Sequence, residues 1–261
     1  MHDDLMALRM LIVGPPGADR DTLRAAAAQA PVPLELLEAE TAPRAAAILE
    51  DGGCDIILLE DSLPADDCLR VTRTARSSAT PPFVLALAKD VANCAAGAIG
   101  ADAVARKPAA AAGVQDLMRA CVHTRFPSRL LIVDDSPTMR AIVKKILSVS
   151  RFPVEIAETS DGRAALEMIA RGAFDMVFLD YNMPGLNGVA TLAELRRAAP
   201  RLKVVIMTSD NNPGVEQRAR EAGADAFLRK PFYPADVDAV LYGLFGLQPP
   251  AAGALQSPDT K

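Results

Sequence analysis

The segment Met176 to Gly188 reads MVFLDYNMPGLNG, and it joins a short apolar run to a carboxylate and then to turn-forming residues. Met176 to Leu179 are four consecutive apolar residues. Such a run fits a parallel strand covered on both faces, which needs no polar alternation. Asp180 follows where the strand leaves the core. Pro184, Gly185 and Gly188 stop the strand, and open α/β sheets place their ligand crevice beyond such carboxyl ends of strands. A lone Asp in this position commonly caps the following turn. Here other parts of the chain supply company for it.

The same pattern recurs 120 residues earlier, where CDIILLEDSLP from Cys54 parallels FDMVFLDYNMP from Phe174. LRMLIVGPP from Leu8 parallels SRLLIVDDS from Ser128 at the same offset, and GADAVARKP from Gly100 parallels GADAFLRKP from Gly223 at an offset of 123. A repeat this long, present twice, indicates duplicated domains rather than a solenoid, whose repeats run about 20–50 residues. Both halves alternate strand-like and helix-like segments, the pattern of an α/β sheet with helices on both faces. The expected organisation is a first domain over 1–122, a linker over 123–128, a second domain over 129–247 and a disordered tail over 248–261. The tail, QPPAAGALQSPDTK, is rich in Pro, Ala, Ser and Gly and has no periodicity.

Composition narrows the function classes. Of 261 residues, 50% are apolar, enough for two cores. No apolar run reaches the ~18 residues needed to span a bilayer, and the start, MHDDLMALRM, is acidic rather than basic like a signal peptide. The expectation is a soluble, cytoplasmic protein without membrane insertion. Cys54, Cys68, Cys94 and Cys121 lack CxxC spacing and read as small buried hydrophobes in a reducing setting. Up to Ser128 the chain has 12 Lys+Arg against 17 Asp+Glu, and from Arg129 onward 16 against 16. No basic cluster marks either half, so nucleic acid is not an expected partner. With only His2 and His123, a histidine-rich metal site is excluded, and His123 reads as a solvated linker residue.

In the second half Leu130 to Val133 forms the first strand. Ser136 can cap the next helix with Pro137 at its first position, and Met139, Ile142, Val143, Ile146 and Leu147 share one helical face. Val154 to Glu158 is a half-exposed edge strand. Val204 to Thr208 and Ala226 to Leu228 supply two more strands, and a last helix covers about Pro234 to Phe245. Strands of a doubly wound sheet end at one rim, so residues closing different strands become neighbours. Asp134 and Asp135 close the first strand, Asp180 the third, Thr208 the fourth and Lys230 the fifth. Three crowded carboxylates repel, and Mg²⁺ is a common remedy, taking one or two carboxylates, waters and a phosphate oxygen. The Thr208 hydroxyl and Lys230 ammonium can hold a phosphoryl group's other oxygens, with Asp180 as nucleophile.

These motifs, VDDSPTMR, FLDYNMPGLNG, MTSD and RKPF, resemble in order and spacing the receiver domain of two-component response regulators, most closely CheY-like chemotaxis receivers. The resemblance spans about Arg129 to Leu247. It implies two flavodoxin-like doubly wound (βα)5 domains, each a parallel five-stranded sheet of order 2-1-3-4-5. It further implies that Asp180 accepts phosphate from a sensor histidine kinase or histidine phosphotransfer protein. Mg²⁺ would sit on Asp134, Asp135, Asp180 and the backbone carbonyl of Asn182. Lys230 would bridge to the phosphoryl group, Thr208 would turn toward it, and Phe227 would be a switch aromatic, although a plain core Phe fits the same position. Lys230-Pro231 is the family's usual cis peptide. Asn182 and Asp210 occupy positions that tune dephosphorylation, and their small polar and acidic character implies a short phosphoryl lifetime.

The equivalent positions of the first half are Gly14, Pro15, Glu60, Ala88, Val104 and Lys107. Two metal ligands, the acceptor Asp and the hydroxyl are missing, which reads as a pseudo-receiver. Glu60 reads either as an imitation of phosphoaspartate or as a neutral relic. Asp61 is discounted as an acceptor because the next residue of a strand points to the opposite face. GPPG at Gly14 lacks the GK[ST] ending of a phosphate loop. The Ala-rich runs at Ala25 and Ala109 read first as a reflection of composition; the alternative is close helix packing on a partner, which would allow a homodimer. The leading expectation is a tandem-receiver regulator signalling by phosphorylation-dependent contact with a downstream protein, not an enzyme beyond Mg²⁺-dependent self-phosphorylation and autodephosphorylation. The alternatives are an aspartyl-phosphate phosphatase, for which the DxDx motif and a capping segment are missing, and a scaffold that is never phosphorylated.

Overall fold

The computed structural model describes residues 7–28, 30, 32–92, 94, 96–108, 110–184, 188–210 and 212–250. The chain divides into two compact units. The first contains the described residues up to Arg125 and those from Phe245 onward, and the second is Phe126–Leu244.

In the first unit the elements are β1 (Leu8–Val13), α1 (Ala18–Ala27), β2 (Leu34–Ala39), α2 (Ala42–Gly52), β3 (Ile56–Glu60), α3 (Ala65–Arg76), β4 (Phe83–Ala88), β5 (Ala103–Arg106) and α4 (Ala111–Arg125). The second unit has β6 (Ser128–Val133), α5 (Pro137–Leu147), β7 (Val154–Thr159), α6 (Gly162–Arg171), β8 (Met176–Asp180), α7 (Gly188–Ala198), β9 (Lys203–Thr208), α8 (Pro213–Glu221), β10 (Ala226–Arg229) and α9 (Pro234–Leu244). The two sheets run β2-β1-β3-β4-β5 and β7-β6-β8-β9-β10, the expected 2-1-3-4-5 order twice over. All pairs are parallel. The flavodoxin-like class therefore holds. One helix differs: among the described residues between β4 and β5 the first unit has turns instead.

Burial follows the hydrophobic pattern. The apolar runs Ile56–Glu60 and Met176–Asp180 are buried along their whole length, being central strands covered by helices on both faces. The alternating strand β7 lies at a sheet edge and is only partly buried. Ser136 caps α5 by accepting from the Met139 N–H at 3.3 Å, with Pro137 opening the helix. The α5 core face is narrower than its sequence periodicity suggests. Val143 and Leu147 are buried, whereas Ile142 is 44% exposed.

Two boundaries differ from expectation. The segment 123–128 is not a linker: α4 continues to Arg125 and β6 starts at Ser128, leaving only Phe126 and Pro127 between them. Pro127 has no N–H to continue the helix, while the apolar spacing of Val114, Leu117, Met118 and Cys121, all buried, carries it past Gly113. His123 accordingly sits on α4, its ring stacked on Phe245 at 4.6 Å between centroids. At the other end Leu247 and Gln248 group with the first unit, not with the second. Gln248 pairs with Val104 in an antiparallel bridge. Most of the expected tail, 251–261, lies outside the described residues, as do Gly185 and Ala109.

Candidate functional site

Strand register builds the site. Val133 lies beside Leu179, so Asp134 follows on one strand where Asp180 ends the next. Asp180 lies beside Met207, which brings Thr208 to the same rim, and Arg229 beside Thr208 delivers Lys230. Residues 134, 180, 208 and 230 thus converge because parallel strands in register end together.

The side chains confirm the convergence. Lys230 Nζ donates to Asp134 Oδ2 at 2.6 Å and to Asp180 Oδ1 at 2.7 Å. Carboxylate oxygens of Asp134, Asp135 and Asp180 all lie within 4.8 Å of one another, and among the described residues this is the one group of three acids placed to hold a metal ion. Asp134 and Asp180 are buried, while Asp135 is exposed. This donor set suits a hard cation such as Mg²⁺, which takes oxygen ligands and keeps open positions for water and phosphate. Burial raises the Asp180 pKa above the ordinary carboxylate value, with Asp134 and Asp135 pushing in the same direction and Lys230 opposing. Burial alone would lower the Lys230 pKa, but its bonds to Asp134 and Asp180 outweigh that and raise it. The ammonium is the counter-charge of the pocket.

Thr208 is fully buried, its Oγ1 accepting from the Asp210 N–H at 3.1 Å and from Asn182 Nδ2 at 3.5 Å. The two positions singled out for tuning dephosphorylation thus both touch the threonine, and both are exposed at the rim. Phe227 is half-buried and packs against the cluster formed by Leu131, Val133, Leu179 and Ile206, so it is at least a core residue. The Lys230-Pro231 bond is cis.

Three residues have contacts at the site that the sequence did not show: Arg140 was given no role, and Ser136 and Gly188 were read only as a helix cap and a strand stop. Arg140, on the first turns of α5, donates from Nη1 to the Asp134 backbone carbonyl at 2.8 Å and from Nε to Glu158 at 3.1 Å, tying β6 and β7 together below the acids. The Ser136 N–H donates to Asp134 Oδ1 at 2.9 Å. At Gly188 a side chain would collide with the Asp180 carbonyl oxygen and lie 2.8 Å from the Tyr181 Cα, so only glycine lets α7 start this close to the end of β8. A Gly eight residues after a strand-end Asp is the sole sequence trace of that approach.

The first unit repeats the register with different side chains. Val13 lies beside Leu59, and Ala88 beside Arg106, so Gly14, Glu60, Ala88 and Lys107 share one rim. Lys107 Nζ donates to Glu60 Oε2 at 2.7 Å, with the Glu60 side chain buried and that of Lys107 9% exposed. Glu60 Oε1 is buried without a hydrogen-bond partner among the described residues. A Cβ on Gly14 would lie 2.7–2.8 Å from the Glu60 Cβ, Cγ and Cδ. The longer acid therefore fills the room that the acidic residue Asp134 uses in the second unit. Pro15 is exposed and Ala88 buried. Asp61 accepts from the Lys89 N–H at 2.8 Å and stands outside this pair, in line with the alternation argument.

The second unit thus joins a flavodoxin-like sheet to three acids and a lysine at its carboxyl rim, which defines its structural class. Comparison with known proteins makes the class specific. The family model for the response regulator receiver domain matches residues 130–242. Chemotaxis protein CheY-3 of Vibrio cholerae is 36% identical over 119 residues, covering 45% of this chain and 91% of that protein. The chain belongs to the response regulator receiver family of two-component systems. Response regulator MprA of Mycolicibacterium vanbaalenii is 34% identical over 132 residues, 51% of this chain and 56% of that protein. The chain thus spans about half the length of the first curated relatives it matches. Among solved structures, CheY4 of Vibrio cholerae is 27% identical, with 46% of this chain and 99% of that chain covered and a TM-score of 0.42. No helix among the described residues is long and apolar enough to cross a membrane.

Proposed function

We propose that the second unit accepts a phosphoryl group on Asp180 from a sensor histidine kinase or histidine phosphotransfer protein in the cytoplasm, and signals by changing its contact with a downstream protein. Lys230 bonded to both Asp134 and Asp180 is the observation that carries this reading: a cation already stands where a phosphoryl oxygen would need one. In the transfer, the phosphorus–nitrogen bond of the donor breaks as an Asp180 oxygen bonds phosphorus, and the donor imidazole leaves. Mg²⁺ on Asp134, Asp135, Asp180 and the Asn182 carbonyl would neutralise the carboxylates and the incoming phosphoryl oxygens. Thr208 would exchange its contacts with Asn182 and Asp210 for the phosphoryl group, and Phe227 would move into the room it leaves.

The first unit, in this proposal, is a pseudo-receiver. Glu60 stands in the acceptor position, Gly14 and Pro15 replace the acidic pair, and Lys107 is already paired. It would bind neither Mg²⁺ nor phosphate.

Intact mass after incubation with acetyl phosphate and Mg²⁺ tests both halves of the proposal. One phosphoryl group is expected on the wild type, none on Asp180→Asn and none without Mg²⁺. A group persisting on Asp180→Asn would overturn the pseudo-receiver assignment, and turnover of small phosphomonoesters would favour a phosphatase instead. Decay of the labelled species over seconds to minutes would bear out the tuning role of Asn182 and Asp210; persistence for many hours would contradict it.

A further inference from the structure

We propose that the outer edge of β5 in the first unit is a docking site for an extended peptide segment, and that its resident occupant is the chain's own segment Phe245–Gln248. β5 ends its sheet, with β4 on one side only. An edge strand leaves N–H and C=O groups that require a partner. Val104 directs both of its groups outward, and Gln248 meets both: the Val104 N–H donates to the Gln248 carbonyl at 2.8 Å, and the Gln248 N–H donates to the Val104 carbonyl at 2.8 Å. Among the described residues this is the one bridge outside the two sheets.

Side chains on both sides of the bridge reinforce it. Leu247 is 3% exposed, and the Phe245 ring stacks on His123 of α4 with an interplanar angle of 13°. The segment is also bounded at each end. Gly246, at φ 71°, makes the left-handed turn that lets the chain leave α9 and become extended. Pro249 and Pro250 have no N–H, so the ladder stops after a single residue pair. A segment that reads Phe-Gly-Leu-Gln-Pro-Pro thus places one aromatic contact, one buried leucine and one two-way backbone pair, the grammar of strand addition at a sheet edge. This clasp gives the first unit a task that needs neither metal nor phosphate: holding the segment that follows the last helix of the receiver.

Hydrogen exchange resolved to single amides tests it, using the full chain, Leu247→Asp, and a chain ending at Leu244. The wild type is expected to protect the Val104 amide at least tenfold more than either variant, with Leu58 of the central strand β3 equally protected in all three. Adding a synthetic peptide of residues 245–250 to the shortened chain should restore protection at Val104. Equal exchange at Val104 in all three proteins overturns the proposal. So does failure of the peptide to restore protection. Loss of Leu58 protection in the shortened chain also overturns it, because the segment would then be part of the folding core and not a docked occupant.

Discussion

At the scale of single residues, the two rims show how one methylene and one missing Cβ change a site. Lys230 divides its charge between Asp134 and Asp180, whereas Lys107 donates to the carboxylate of Glu60. Removing one partner of such a buried pair leaves the other charge stranded, so Lys107→Met should destabilise the first unit by about 3–5 kcal/mol. Combining it with Glu60→Met should recover most of the loss, because two apolar groups replace two paired charges. Urea denaturation of the single and double variants reads the difference; a double variant as unstable as the single would show that the pair is not the relevant contact. Gly14 is held to the same side chain by sterics. Gly14→Ala should cost about 1–3 kcal/mol through overpacking, and combining it with Glu60→Ala should remove only part of that cost, since the Cγ and Cδ are then gone while the Cβ stays in close approach.

Elements supply the next level, and here glycine and capping residues matter more than the charged ones. Gly188 lets α7 begin against the carbonyl of Asp180, so Gly188→Ala should push the backbone under Asp180, the proposed acceptor. The expected outcome is a slower rate of phosphoryl incorporation from acetyl phosphate, with Thr208 and Lys230 untouched. On α5, burial separates residues that periodicity groups together. Leu147→Ala should cost about 2–5 kcal/mol as a core truncation. Ile142→Gln, at an exposed position, should stay within about 0.5 kcal/mol of the wild type by thermal melting. A large loss from Ile142→Gln would mean that this face is covered in solution.

For the whole molecule, the useful asymmetry is that Cys54, Cys68, Cys94 and Cys121 all lie in the first unit, so thiol chemistry reports on that unit alone. Burial pushes the Cys54 and Cys121 thiols up to about 12 and Cys68 up to about 11. Cys94, half-buried, is raised by burial as well. Since thiolate is the reactive form, a disulfide reagent at pH 8 should label Cys94 first and the other three only as the first unit opens. The linkage has a definite sign. A thiol whose folded pKa exceeds its unfolded value of 9.0 keeps its proton longer in the fold, so stability is complete below about pH 9. It falls as pH rises from there toward 12, by at most about 1.4 kcal/mol per pH unit for each thiol. Denaturation followed by thiol labelling should therefore show the first unit weakening at high pH. The second unit has no cysteine to add to this effect.

Much of this protein was written in local pattern. The apolar runs at Met176 and Ile56 set central strands, the alternation at Val154 set an edge, and Ser136-Pro137 set a helix start, because each depends on burial or capping by residues close in sequence. The duplication and the five rim positions of the second unit were legible for the same reason: they recur with fixed spacing at strand ends. The end of α4 was not legible, since polar residues at 123–125 mimic a loop until the helix packs. Nor was the narrow face of α5, the Arg140 tie to Asp134, or the crowding of Glu60 over Gly14, because each is a distance between elements and leaves no period in the chain. The sequence alone determined which strands form and which residues end them. Tertiary structure alone decided that Gln248 pairs with Val104, because an edge strand accepts whichever backbone reaches it, and backbone groups carry no sequence label.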